Sequence, residues 1–327
     1  MSDHTIEVVP VKLEVHSNAE SLSIIRVGGW QVIVRTSDWK DGDLGAYIPP
    51  DNLVPDLPEY AFLKGHLRIK VKKLRGEWSQ GLLVKAPEGS KVGDNVAEQL
   101  GILHYEPQIY GSLGTRGKAI KGPAGIYPVY DVEHFNKYKG LLTPGEFITV
   151  TEKVHGCNAR FVFTEGKMWA GSHREWKEED SKDLWWRALE AHSEVEEYCT
   201  RNPNNTVYCE VYGQVQDLKY GTSVGEVHIA VFDIHRGNWD SSPPIPPRWL
   251  DYLPLQGLKS KLPLVPTIWT GPYNEQKVRS LVDGPSLIPG ANHIREEIVI
   301  RPITERWSNK IGRIQLKLIS NNYLERV

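Results

Sequence analysis

Short apolar, β-branched runs broken by Gly, Asp, Asn and Pro recur along this chain, and that punctuation restricts it to folds built from many brief strands. Within the first hundred residues these runs are "TIEVVPVKLEV", "LSIIRVGGWQVIVRT", "GAYIPP", "LRIKVKKLR" and "SQGLLVKA". Their close spacing predicts a small β-barrel or sandwich. Residues 107–126, "PQIYGSLGTRGKAIKGPAGI", are rich in Gly, Lys and Pro without an apolar period, which predicts a linker or mobile loop. The domain boundary is therefore expected near residue 120, giving domains 1–120 and 121–327. Beyond it, strands such as "EFITVTEKV", "ARFVF", "TVYCEVYG", "VHIAVFDI", "EEIVIRP" and "RIQLKLIS" mix with two helical stretches. One is "SKDLWWRALEAHSEVEEYCT", expected to start at a Ser181 cap with Leu184, Trp185, Leu189 and Val195 on its apolar face; the other is "NEQKVRSLV". The fold class expected is α+β.

With 39 Lys and Arg against 41 Asp and Glu, the formal charge is −2, so any nucleic-acid signal must be local. The start "MSDHTIEVVP" lacks a basic segment followed by an apolar core, and no apolar run approaches membrane-spanning length. A cytoplasmic protein is expected, with no membrane partner. Cys157, Cys199 and Cys209 form neither a C-x-x-C pair nor an even set, which predicts reduced thiols. The nearly neutral composition gives no reason to expect obligate assembly, so a monomer is expected.

The stretch "TEKVHGCNARFVF" (151–163) sets Lys153, His155, Gly156 and Asn158 between two strand-forming runs. Lys-x-x-Gly by itself carries little information, since "KLRG" (73–76) and "KYKG" (137–140) fit it too. Lys153 differs in its flanks, because "FITVTE" and "ARFVF" put it where one buried strand ends and the next begins. That position predicts an amine fixed at the floor of a cleft. An ordinary lysine titrates near ~10.4, so presenting the neutral amine at pH ~7.4 costs about 4 kcal/mol unless its surroundings help. Strands elsewhere supply suitable company in Glu210, Glu296 and Lys317. Carboxylates suit a hard divalent metal, and a second lysine suits phosphate.

At these residues the chain resembles the covalent nucleotidyltransferases, and among them the ATP-dependent RNA ligases of the Deinococcus-type group, which carry an OB-fold domain before the catalytic domain. The resemblance rests on "YPVYDVEHF…TEKVHGCN", "AGSHR", "YCEVYGQVQDLKYG", "VFDI", "EEIVIRP" and "LKLIS", spread over residues 127–327. It implies an N-terminal OB-like β-barrel followed by a mixed antiparallel-sheet nucleotidyltransferase domain. It further implies that Lys153 attacks the α-phosphorus of ATP to form lysyl-AMP, that AMP passes to a 5′-phosphate end, and that a 3′-hydroxyl then seals the strands. Carried over, Glu152 would read the adenine, Asn158 would lie near the α-phosphate, and Arg174 would reach ribose and phosphate. Glu210 would contact ribose and the metal, Phe232 would stack on adenine, Glu296 would bind Mg²⁺ or Mn²⁺, and Lys317 would contact the α-phosphate. The sequence departs from the family twice: Glu296-Glu297 replaces the usual Glu-Gly, leaving open which carboxylate faces the metal, and Gln315 stands where a lysine is usual. Lys317 then acts alone or with Arg313.

In the first domain, alternation places Arg68, Lys70 and Lys72 on one strand face, a row suited to a phosphate backbone or to a solvated edge strand. Beside a ligase module the expected partner is RNA or a nicked RNA/DNA hybrid duplex with a ribonucleotide at the 3′-OH. The competing functions are a capping-type guanylyltransferase, a DNA ligase, or an OB-fold RNA-binding protein with an inactive body. The first two usually place their OB domain after the catalytic one.

Overall fold

A computed structural model describes residues 5–105, 117–237 and 248–326. The first half of the stretch expected to be a linker, residues 107–116, lies outside the described residues. The chain divides into two compact units. One holds the N-terminal residues together with His134–Lys137 and the segment from Ile319 on; the other holds the residues up to Glu133 and Tyr138–Leu318. A single cut near residue 120 does not describe that division, because the C-terminal helix Asn321–Arg326 groups with the N-terminal strands.

The first unit is built from small antiparallel sheets. Glu7–Pro10, Leu44–Ile48 and Leu82–Lys85 form one, while Glu14–Val15, Leu22–Val27 and Trp30–Arg35 form another. Along Leu44–Ile48 the side chains alternate between two cores, Ala46 and Ile48 in one and Tyr47 in the other. The barrel expected here is not what forms: no sheet among the described residues closes on itself. Pro10 ends the first strand and Pro49–Pro50 follow Ile48, so neither strand end offers the amide that a continuing ladder needs. The strands Glu14–Val15 and Asn52–Leu53 are two residues each.

The second unit contains a seven-stranded antiparallel sheet centred on Cys157–Thr164, Thr206–Gly213 and Val227–Arg236. Helices Leu184–Ala191 and Ser193–Arg201 cover one face. They replace the single helix expected, and the cap is Asp183, whose side chain accepts from the amides of Trp185 and Trp186. The break falls at His192, whose ring is engaged on both sides, by the Glu194 carboxylate and the Ile229 amide. A second sheet places Phe147–Lys153 between Glu297–Pro302 and Thr267–Pro272, with Leu316–Ile319 on the far side of Glu297–Pro302. The other expected helix forms at Glu275–Leu281, capped by Asn274. No helix among the described residues is long and apolar enough to cross a membrane.

Candidate active site

Lys153 closes a strand of the second sheet, and only the turn 154–156 separates it from Cys157, which opens a strand of the large sheet. That turn therefore joins the two sheets. It needs glycine: a Cβ on Gly156 would sit 2.2 Å from the Val211 carbonyl oxygen and 3.1 Å from Cγ of Glu210. Beyond the turn, period-two alternation divides the residues between two tasks. Cys157, Ala159 and Phe161 join Val207, Cys209 and Val211 in the core beneath the helices. Asn158 and Glu210, register partners across the same two strands, take the opposite face. All three cysteines are free and buried.

Glu297 is the register partner of Lys153, and its carboxylate lies 3.5 Å from the lysine Nζ. Burial pulls the ammonium toward neutrality, but Glu297, Glu296 and Glu210 outweigh it and hold the lysine above its ordinary pKa. Burial pushes Glu210 up to about 7, with Lys153 and His155 opposing and the other two glutamates assisting. His155, 7% exposed, lies between two acids: Nδ1 is 2.5 Å from Glu296 and Nε2 is 2.5 Å from Asp217. Burial disfavours its charge, yet these carboxylates raise its pKa to about 10. The cluster is thus one lysine and one imidazolium among four acids.

Of the Glu296-Glu297 pair, Glu297 lies against Lys153 and Glu296 against His155. Glu152, on the strand face opposite Lys153, is buried and accepts from Ser286 Oγ and the Leu287 amide, both at 2.6 Å. Phe232 sits where the strand register shifts, its ring 4.6 Å from that of Tyr130. Lys317 is half-buried on Leu316–Ile319, the strand beside Glu297–Pro302. Arg174 is exposed just after the strand Lys167–Gly171. Gln315 and Arg313 turn elsewhere. Gln315 accepts from Tyr130 Oη at 2.6 Å, and Arg313 is buried in ion pairs with Asp233 and Glu305.

The sequence reading missed Glu297 as the lysine's partner and Asp217 altogether. Register could have found the first, since counting back along two antiparallel strands pairs 153 with 297. Nothing local marks Asp217, which lies in the loop after the Glu210 strand.

Residues 146–319, more than half of the chain, match the sequence model of the RNA ligase family. The chain belongs to the RNA ligase family. A model of an OB-fold domain matches residues 5–86 of this ligase. Comparison with curated proteins returns no match. Among solved structures, the RNA ligase is similar to a lysine-to-alanine variant of the Naegleria gruberi RNA ligase with ATP and Mn, at 22% identity and a TM-score of 0.78 over 98% of each chain. It is likewise similar to a glutamate-to-alanine variant of that enzyme with AMP and Mn, at 23% identity and a TM-score of 0.77 over 99% of this chain and 98% of that one. The Naegleria enzyme with PPi gives 23% identity and a TM-score of 0.77, covering 98% and 97%. At that identity the likeness is one of fold.

Proposed function

We propose that this RNA ligase is ATP-dependent and seals 3′-OH and 5′-phosphate ends through lysyl-AMP and an adenylylated polynucleotide, as in the Deinococcus-type group. The observation that carries this reading is Lys153 held at a strand end among Glu210, Glu296 and Glu297. In the first step Nζ of Lys153, having lost its proton, forms a bond to the α-phosphorus of ATP while the bond to pyrophosphate breaks. The carboxylates that raise the lysine's pKa oppose that deprotonation, so the resting site is poised against reaction until their charge is met. Crowding of this kind, with Glu210 at about 7, fits a divalent cation held by Glu210 and Glu296 together with nucleotide phosphates and water. When bound, Mg²⁺ or Mn²⁺ would supply positive charge that offsets the carboxylates and polarises phosphate oxygens.

The remaining roles are Asn158 and Lys317 toward the α-phosphate, Arg174 toward ribose and phosphate, Phe232 beneath the adenine, and Glu152 as the group that orders the purine pocket. Glu152 would act through its bonds to Ser286 and Leu287. In the N-terminal unit the exposed Lys70 and Lys72 would follow a polynucleotide backbone. Arg68 is already matched by Asp51 at 2.6 Å and stacked on Tyr105, so it would orient that surface. The substrate is taken to be a nicked duplex, RNA or RNA/DNA hybrid, with a ribonucleotide 3′-OH, bound by a cytoplasmic monomer. Buried free cysteines agree with a reducing compartment.

Incubation with α-labelled ATP tests the reading. Acid-stable label on the polypeptide that Lys153→Ala abolishes supports it, label from GTP alone would indicate capping, and no label from either would leave a binding protein. Sealing of an all-DNA nick as fast as one with a ribonucleotide 3′-OH would refute the strand preference.

A further inference from the structure

The loop that follows the Glu210 strand is stitched to the lysine turn at three points. Asp217 Oδ1 meets His155 Nε2 at 2.5 Å, Tyr220 Oη accepts the His155 amide at 2.6 Å, and Gln216 Nε2 reaches Cys157 Sγ at 3.9 Å. The other ring nitrogen of His155 holds Glu296. A continuous chain of polar contacts therefore runs from Asp217 through the imidazole to a carboxylate that acts electrostatically on Lys153. Tyr220 itself is buried and packs with Val154, so the far side of the loop is anchored in the core.

We infer that Asp217 is a positioning residue for the adenylylation step: by fixing the ring of His155 it sets where the Glu296 carboxylate stands beside Lys153. An imidazole with one carboxylate partner can rotate about its remaining bond, whereas one gripped at both nitrogens has a single orientation. Asp217 is 41% exposed, whereas the ring it holds is 7% exposed, so its charge supports the orientation of His155 together with part of the stability of that buried imidazolium. Through that orientation its effect is expected in the chemistry, where small displacements of a charged group are magnified.

This inference rests on the proposed function, and two variants with three readouts separate the outcomes. Asp217→Asn keeps the shape and removes the charge; Asp217→Glu keeps the charge. For Asp217→Asn the maximal rate of AMP labelling should fall on the order of tenfold or more, as expected for a misplaced charged group, with KM for ATP within about twofold, as expected when ground-state binding is untouched. The variant should remain fully folded at the assay temperature, and Asp217→Glu should recover much of the rate. In the unliganded protein, the low-field proton NMR signal of His155 Nε2–H should be present in wild type and lost in Asp217→Asn. An unchanged labelling rate, a retained Nε2–H signal, or a loss that tracks unfolding at the assay temperature would overturn the inference. If wild type takes no label at all, the proposed function fails, and the NMR signal alone decides whether Asp217 fixes the ring.

Discussion

Lys153 and Glu297 are register partners across adjacent antiparallel strands, and their side chains close to 3.5 Å. The pairing is set by backbone hydrogen bonds along Phe147–Lys153 and Glu297–Pro302, so the ion pair is a property of the sheet as much as of the two side chains. It keeps Lys153 an ammonium. The carboxylate that holds Lys153 in place is also one that keeps it unreactive.

Replacing Glu297 with Gln should lower the pKa of Lys153, because a negative charge that favours the ammonium is removed while burial, which disfavours it, stays. With an amine-acylating reagent and peptide mapping, the pH profile for modification of Lys153 should move to lower pH and the rate at pH 8 should rise several-fold. An unmoved profile would mean that Glu297 does not govern the amine.

Asp233 is fully buried, and one of its oxygens meets Arg301 at 2.8 Å, Arg313 at 2.6 Å and Tyr130 Oη at 2.8 Å. Asp233→Asn would leave two buried guanidinium groups short of one negative charge. Breaking such a pair by removing one partner costs about 3–5 kcal/mol, and urea unfolding at pH 7 should show a loss of that order. A loss under about 1 kcal/mol would show that Glu305 carries the arginines alone.

His235, 4% exposed and stacked edge-on against Trp249, is kept neutral by burial, with its pKa lowered to about 4. Because the folded value lies below the unfolded one, acidification protonates the unfolded chain first. Stability from this group is full above about pH 6.5 and declines as pH falls toward about 4, a total of about 3 kcal/mol. Between pH 7 and pH 4.5, His235→Gln should therefore lose about 2–3 kcal/mol less than wild type in urea unfolding, by the same linkage. Parallel losses in the two proteins would place the acid sensitivity elsewhere.

Lys70 and Lys72 are exposed, and each phosphate neutralised on a duplex contributes about 0.9 to the slope of log K against log salt. The Lys70→Ala/Lys72→Ala variant should bind a nicked duplex more weakly, with a slope shallower by about 2. Lys153 labelling should be unaltered. An unchanged slope would make this face a solvated edge.

The strands that carry the candidate site were legible in the sequence, because short apolar runs broken by turn residues mark them out. The order of the strands marked Lys153, Asn158 and Glu210 as residues to consider together, while the register that makes Asn158 and Glu210 partners and sends Cys157 and Cys209 into the core comes from the structure. The barrel was not legible, since closure depends on hydrogen bonds between strand edges, and Pro10 and Pro49 weaken those edges in a way that apolar pattern does not report. Nor was the link between Asp217 and His155, which are 62 residues apart and joined by a loop whose path follows from Tyr220 being buried. The continuous helix expected over 181–200 failed for a comparable reason. The interruption at His192 is fixed by a partner on another strand, the Ile229 amide.

The turn at Gly156 has a consequence for how this enzyme can vary. Its backbone passes too close to the Val211 carbonyl to admit any side chain, so the turn between Lys153 and the large sheet is locked to one amino acid. Inserting or deleting a residue between 153 and 158 would invert the following strand, sending Cys157 outward and Asn158 into the apolar layer. Diversification of substrate choice is thereby channelled into the peripheral loops, where length can change without reversing a strand.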